Sequence, residues 1–393
     1  MQKHQTLVRA EQIMDHFLAD LKTIVNIDSG TFTKAGIDRV AEYLQQRFHD
    51  FGFTTEIDYQ QERGNNLVAT HTGNNPHGPH ILVLGHMDTV FPAGEVERRP
   101  FALSERDAMR IATGPGILDM KSGLLIGMYG LHLLIAASQA NYQRLTFVCN
   151  SDEEIGSCNS RPLIQQMAQQ ADAVIVLEPG RIINAIVSSR RGIGNYTIEV
   201  HGISSHAGVE PQKGRNAILE LAHQVAALQA INGTIAGTTL NVGTIRGGER
   251  TNIVPDYACC QIDVRVSGPA GTEAIEAAMR KVATQNVLEG TKIVLSGSIR
   301  TQPFERTERS TKLVQLAKLA GQELGLDIED VGSGGASDAN TTAAMGIPTV
   351  DGLGACGSLA HNPNEYIELD SLPTRIALFT GLVQQIGHYY QGE

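Results

Sequence analysis

Short apolar runs rich in β-branched residues recur through the first half of the chain, and stretches of helical periodicity separate several of them. The runs fall at residues 66–70, 81–84, 145–149 and 173–177, each bounded by turn residues as strands are. Apolar residues spaced three and four apart fill 10–25 and 36–51, and further helical segments occupy 118–137 and 161–169. Asp50-Phe51-Gly52 ends the second of these helices. Such a chain is expected to bury its strands as a mixed or parallel sheet covered on both faces by helices, an α/β fold.

The pattern changes between about 187 and 299. Strand, helix, strand, strand, helix, strand are read at 194–201, 216–230, 239–245, 258–266, 272–285 and 291–295. This order is the ferredoxin-like split unit, an α+β domain plausible as an insertion into the first domain. The expected division is therefore 1–187, then an inserted domain at 188–300, then a return to the first domain over 301–393. A helix at 310–325 and the segment 348–383 complete that return.

With 393 residues, 41% of them apolar, the chain is long enough for two domains with ordinary cores. A formal charge of −11 disfavours a nucleic-acid backbone or an anionic membrane as partner. Cys149, Cys158, Cys259, Cys260 and Cys356 make an odd count without regular spacing. That pattern argues against a disulfide framework or a cysteine-built zinc site, and for free thiols in a reducing compartment. The N-terminal stretch MQKHQTLVRAEQIMDHF has no continuous apolar segment of the kind a secretory signal needs. The longest apolar stretch, 124–137, is broken by glycines, Tyr129 and His132, and reads as a buried helix too short to span a bilayer. A cytoplasmic protein is expected.

Five short segments carry chemistry. An apolar run at 81–84 delivers His86 and Asp88 just past its end, where open α/β sheets bind ligands. Two residues apart on an extended chain, they face one side, so Asp88 can accept a hydrogen bond from the far nitrogen of a metal-bound His86. The glycine-rich run GPGILDMKSG places Asp119 before a helix, either as a cap or as a carboxylate bridging two cations. Asp152, Glu153 and Glu154 follow the strand at 145–149 directly, and like charges so packed require solvent or a cation. Glu178 ends another strand, and His361 lies in a glycine-bearing loop far down the chain. Together these supply the donors expected for two zincs about 3.5–4 Å apart.

The runs GHMDTV, GPGILDMKSG, SDEEIGS, VLEPG, SSHAG, TNIVP, GGASDA and LAHNPNEYI occur in one order over nearly the whole chain. In that order and spacing the sequence resembles the co-catalytic zinc peptidases that include glutamate carboxypeptidase, aminoacylase, acetylornithine deacetylase and succinyl-diaminopimelate desuccinylase. The resemblance implies two Zn2+ per subunit, with His86 and Glu178 on one, Glu154 and His361 on the other, and Asp119 bridging. It implies Glu153 as general base, Asp88 as the residue that orients His86, and His206 of SSHAG as an oxyanion donor that reaches the partner subunit's site. The inserted domain would then serve as lid and dimerisation domain of a homodimer. Ser122 stands where many relatives have glycine, a departure that leaves the ligand set intact.

Asn252 of TNIVP and Arg265 are the matching substrate-binding candidates, and the backbone around Gly335 is expected to line the substrate pocket. A guanidinium that grips a carboxylate with two parallel bonds suits a free C-terminal carboxyl group. Without the resemblance, His206, Asn252 and Arg265 read as a surface histidine, a turn and a strand-surface charge. The branch that looks closest is glutamate carboxypeptidase, implying a carboxypeptidase acting on peptides or N-acyl conjugates, with glutamate as a candidate leaving residue. An N-acyl-amino-acid deacylase is the nearest alternative, and a non-catalytic binding protein on the same fold the alternative of another class.

Overall fold

The computed structural model describes residues 5–180 and 182–390, so the first four residues of the N-terminal stretch lie outside it. The chain forms two compact units. One comprises the residues up to Ser189, Arg306–Gly332 and those from Ser337 onward; the other comprises Arg190–Glu305 and Ser333–Ala336. Each has its own apolar core.

The first unit is built on a six-stranded mixed sheet in the order Thr54–Asp58, Asn66–Thr72, Arg144–Asn150, His80–His86, Ala173–Val176, Thr349–Val350. Thr54–Asp58 pairs antiparallel with Asn66–Thr72, and Asn66–Thr72 antiparallel with Arg144–Asn150, whereas Arg144–Asn150, His80–His86, Ala173–Val176 and Thr349–Val350 are mutually parallel. These parallel strands are buried along almost their whole length, which is why they read as continuous apolar runs rather than as alternation. Helices flank the sheet.

The helix Ser122–Ala136 is the most buried of them. Its glycines allow close approach: a Cβ on Gly127 would lie 2.9 Å from Phe147 of the sheet, and one on Gly130 would lie 2.6 Å from Phe379 of the C-terminal helix Leu372–Tyr389. A Cβ on Gly123 would collide with the carbonyl of Leu177. With the preceding turn the apolar stretch spans Ile117–Ala136, longer than the sequence implied and long and apolar enough to cross a membrane. Nearly all of it is packed inside the unit, as the core helix of a globular domain is.

A smaller antiparallel sheet joins the hairpin Ala102–Arg106 and Met109–Thr113 to Tyr366–Glu368 and Gly357–Ser358. This hairpin has no counterpart among the strands predicted from the sequence. Its outer strand is exposed throughout and shows no apolar alternation.

The second unit is the expected ferredoxin-like arrangement. Its four antiparallel strands lie in the order Thr238–Gly247, Tyr257–Val266, Gly192–His201, Lys292–Thr301. Gly192–His201 and Tyr257–Val266 alternate between buried and more exposed residues. That period of two arises because the helices Ala217–Ile231 and Pro269–Ala283 pack on one face. Asn216 caps the first of these helices, its side-chain oxygen accepting the Leu219 N–H at 3.0 Å.

Candidate metal centre

Three neighbouring parallel strands end side by side, and each delivers a functional group just at or past its carboxyl end. His80–His86 supplies His86 itself, Arg144–Asn150 runs into Asp152, Glu153 and Glu154, and Ala173–Val176 is followed by Glu178. Parallel register makes the convergence unavoidable, since strands running the same way end at the same edge. Asp119 reaches them from the turn Ile117–Lys121, which the glycines of GPG make possible: Gly114 and Gly116 both adopt positive φ. The Asp119–Met120 peptide is cis. The position that caps helix Ser122–Ala136 is Lys121, so Asp119 is not its cap.

Asp119 sits between two imidazoles. His86 Nε2 lies 3.1 Å from Oδ1, and His361 Nε2 lies 3.2 Å from Oδ2. His361 Nε2 is also 3.1 Å from Glu154 Oε2, and His86 Nε2 is 3.8 Å from Glu178 Oε1. His86 donates its other ring proton from Nδ1 to the backbone carbonyl of Asp88 at 3.0 Å, with Asp88 Oδ1 a further partner at 3.3 Å. A neutral His86 would then aim a lone pair from Nε2 at the lone pairs of Asp119. The arrangement holds only with a proton or a cation between them.

Burial opposes charge on Asp119, but hydrogen bonds from His361 and His86 outweigh it and hold the carboxyl below its usual range. Burial lowers the proton affinity of His86, but hydrogen bonds to Asp119 and Asp88 outweigh it and raise His86 well above the ordinary histidine value. Hydrogen bonds to Asp119 and Glu154 push His361 up to about 10. Burial first, then the neighbouring charge of Glu178, raises Glu153 well above the carboxylate range.

Two donor groups meet the spacing a metal ion needs: His86 with Glu153 and Glu178, and His86 with Asp119 and Glu154, each with ligand atoms within 4.8 Å of one another. Two ligands on a tetrahedral zinc lie roughly 3.3 Å apart, given metal–ligand distances near 2.0–2.2 Å. The contacts that Asp119 makes with both histidines, and Glu154 with His361, match that spacing. Glu154 Oε1 is buried without a hydrogen-bond partner, as a carboxylate oxygen reserved for a cation would be. Imidazole nitrogen and carboxylate oxygen suit zinc. The residues present therefore fit a pair of such ions.

Several supporting roles were invisible in the sequence. Asp88 is fully buried and serves as a hub: its carboxylate accepts the Glu153 N–H at 3.1 Å, the Glu154 N–H at 3.3 Å and the Thr31 hydroxyl at 2.7 Å. It thus holds the acidic turn as well as His86. Asp338 of GGASDA accepts from the Ser157 hydroxyl at 2.5 Å and from the Asn150 side chain at 2.9 Å, buttressing the same turn from behind. Glu365 accepts the Ile117 N–H at 2.6 Å. Burial raises Glu365 to about 8 and lowers the buried Lys121 near it to about 7, while each partly offsets the shift of the other. GGASDA and LAHNPNEYI contain two of these residues, but nothing in a motif assigns such supporting work.

His206, Asn252, Arg265 and Gly335 belong to the second unit. His206 is exposed, and Ser205–His206 pairs antiparallel with Ile253–Val254. The Ala207 N–H donates to the Asn252 carbonyl at 3.0 Å, so His206 and Asn252 lie close together. Arg265 directs its fork at Asp263, with Nε 2.8 Å from Oδ1 and Nη2 3.1 Å from Oδ2. The Gly335 carbonyl accepts from Arg190 Nη1 at 3.0 Å.

Comparison with known proteins gives consistent findings. The sequence profile described as peptidase family M20/M25/M40 matches residues 82–385. Carboxypeptidase G2 of Pseudomonas sp. (strain RS-16) is 30% identical over 375 residues, covering 93% of this chain and 88% of that protein. Succinyl-diaminopimelate desuccinylase of Dechloromonas aromatica (strain RCB) is 26% identical over 363 residues, 88% of this chain and 92% of that protein. Among solved structures, aminopeptidase PepT of Bacillus cereus ATCC 10987 superposes with a TM-score of 0.83 at 24% identity, covering 95% of this chain and 98% of that one.

Proposed function

The chain belongs to peptidase family M20/M25/M40 and is a hydrolytic metalloenzyme, and from that premise we propose that it cleaves an amide bond beside a free carboxylate, as a carboxypeptidase releasing a C-terminal amino acid. The observation that carries the metal chemistry is Asp119, whose two oxygens face two different imidazoles at 3.1 and 3.2 Å. One carboxylate shared in this way is what a co-catalytic pair requires. His86 and Glu178 would hold one zinc, Glu154 and His361 the other, with Asp119 contributing to both.

When bound, the zinc pair polarises the scissile carbonyl and eases deprotonation of water. Glu153 accepts the proton of the attacking water on its carboxylate and returns it to the amine nitrogen of the departing amino acid. Its raised proton affinity suits both transfers, because a base poised nearer neutrality can take a proton and give it back. Asp88 fixes the tautomer of His86 and the backbone of Glu153 at once. His206 of the partner subunit donates to the developing oxyanion in a homodimer, and Asn252 and the Gly335 backbone bind substrate. Arg265 grips the substrate carboxylate after exchanging Asp263 for it.

Support for the carboxypeptidase reading comes from the relative named carboxypeptidase G2, matched over most of both chains. The desuccinylase match favours a second reading, an N-acyl-amino-acid deacylase with the same machinery. A hydrolysis panel on zinc-reconstituted protein, pairing dipeptides and folate-like glutamate conjugates with short N-acyl amino acids, separates the two. Release of free C-terminal amino acid from the first group is expected. Turnover confined to short N-acyl groups would leave the deacylase.

A further inference from the structure

Glu365 is a wholly buried acid that takes no part in the chemistry described above. It lies four residues after His361, immediately before the strand Tyr366–Glu368. That strand pairs with Met109–Thr113, the strand that runs into the glycine turn ahead of Asp119. The small sheet therefore lays the loop of His361 alongside the turn of Asp119.

One side chain ties the two together. Glu365 Oε1 accepts the Ile117 N–H at 2.6 Å across a separation of 248 residues. Gly116 precedes Ile117 with a φ of 69°, so Ile117 opens the turn, and its N–H is shared between Glu365 and the Gly114 carbonyl, the latter at 3.2 Å. Glu365 Oε2 is buried and without a hydrogen-bond partner. On its own side, the Glu365 N–H donates to the Asn362 carbonyl at 3.0 Å, and the Asn362 N–H donates to the Leu359 carbonyl at 3.0 Å. Leu359 and His361 both stand at positive φ, 67° and 63°, which non-glycine residues keep only where their surroundings hold them. The Arg99 guanidinium on the Pro363 carbonyl braces the other side of the loop.

His361 is itself 54% exposed in its side chain and meets Asp119 and Glu154 from this loop. Its distance from Asp119 depends on how firmly the loop is moored to the turn. We propose that Glu365 is a positioning residue: by holding the Asp119 turn from the His361 loop, it sets the spacing of the zinc site shared by Asp119, Glu154 and His361. This rests on the zinc reading given under Proposed function.

The test is a competitive-chelator titration of zinc on the full chain, comparing unsubstituted protein with Glu365→Ala and Glu365→Gln. Outer partners that orient metal ligands are worth about 10- to 100-fold in affinity. Glu365→Ala is expected to weaken the binding event that depends on His361 by about that factor, and the other, which shares only Asp119 with it, by less. Its activity at limiting zinc falls and is rescued by excess zinc. Glu365→Gln, which keeps an oxygen for Ile117 in the same volume, falls in between. Two binding events at unsubstituted affinity in both variants, even with a lowered melting temperature, would reduce Glu365 to a structural cap and overturn the proposal. Equal weakening of both events overturns it as well. Failure of the unsubstituted protein to bind two zincs defeats the metal reading itself, and this inference with it.

Discussion

Acids in the second unit meet bases on the same surface: Asp263 with Arg265, Glu276 with Arg280, Glu210 with Lys213. At the strand ends of the first unit, Asp88, Asp119, Glu153, Glu154 and Glu178 gather around only two imidazoles, His86 and His361. Exposed pairs of the first kind settle charge locally and contribute little to stability. A partly buried cluster of the second kind is unbalanced, and burial makes the imbalance expensive. The difference separates charge that decorates a fold from charge that awaits a cation.

The largest effect should come from Glu153. Glu153→Gln is expected to lower kcat on the order of 10^3–10^4-fold, the upper range for loss of a general base, while metal analysis still finds two zincs per chain. Turnover unchanged from wild type would remove Glu153 from the mechanism, and loss of zinc would make it a ligand.

Removing the metal should expose the cluster's own titration. In metal-free protein His361 has a folded pKa of about 10 against an unfolded value of roughly 6.5. A raised histidine pKa stabilises the fold fully below the unfolded value, and that stabilisation is lost as pH rises through the folded one. Thermal melts in chelator are therefore expected to drop by a few degrees between about pH 6.5 and 10. Zinc competes with protons for the same nitrogens, so the stabilisation it adds should grow over that range. Parallel curves with and without chelator would show that the histidines do not bind zinc.

The smallest effect on stability belongs to the second unit. Asp263→Asn breaks a half-buried pair within one strand and should change unfolding free energy by about 1 kcal/mol or less. Because it releases the guanidinium of Arg265, it should also lower KM for substrates with a free carboxylate. A raised or unchanged KM would count against Arg265 as the carboxylate grip.

Much of this contrast was legible in the sequence. His86, Glu154 and Glu178 could be found because each follows an apolar strand, and parallel strands must end together. The inserted unit was readable because its strands alternate or nearly so and its helices are long. Position in sequence carried no trace of what joins distant residues. Asp88 looked like a partner for His86 alone, although its carboxylate also holds Glu153, Glu154 and Thr31. Asp119 left two roles open in its own segment, cap and bridge; the resemblance implied the bridge, and the turn Ile117–Lys121 puts Asp119 ahead of the helix rather than on its end. The hairpin Ala102–Thr113 escaped notice because an exposed strand has no hydrophobic period to read.

The glycines of the central helix give the site a mechanical dimension. Gly123 and Gly127 let backbone lie almost directly on the strand ends that carry Glu178 and the acidic turn. The helix acts as a gauge block: its bare radius sets how far the turn of Asp119, which leads into it, stands from the sheet. A methyl group added anywhere along that contact would shim the block outward. At Gly123 that methyl would meet the Leu177 carbonyl one residue before Glu178, so the donors would all remain while the spacing between them changed.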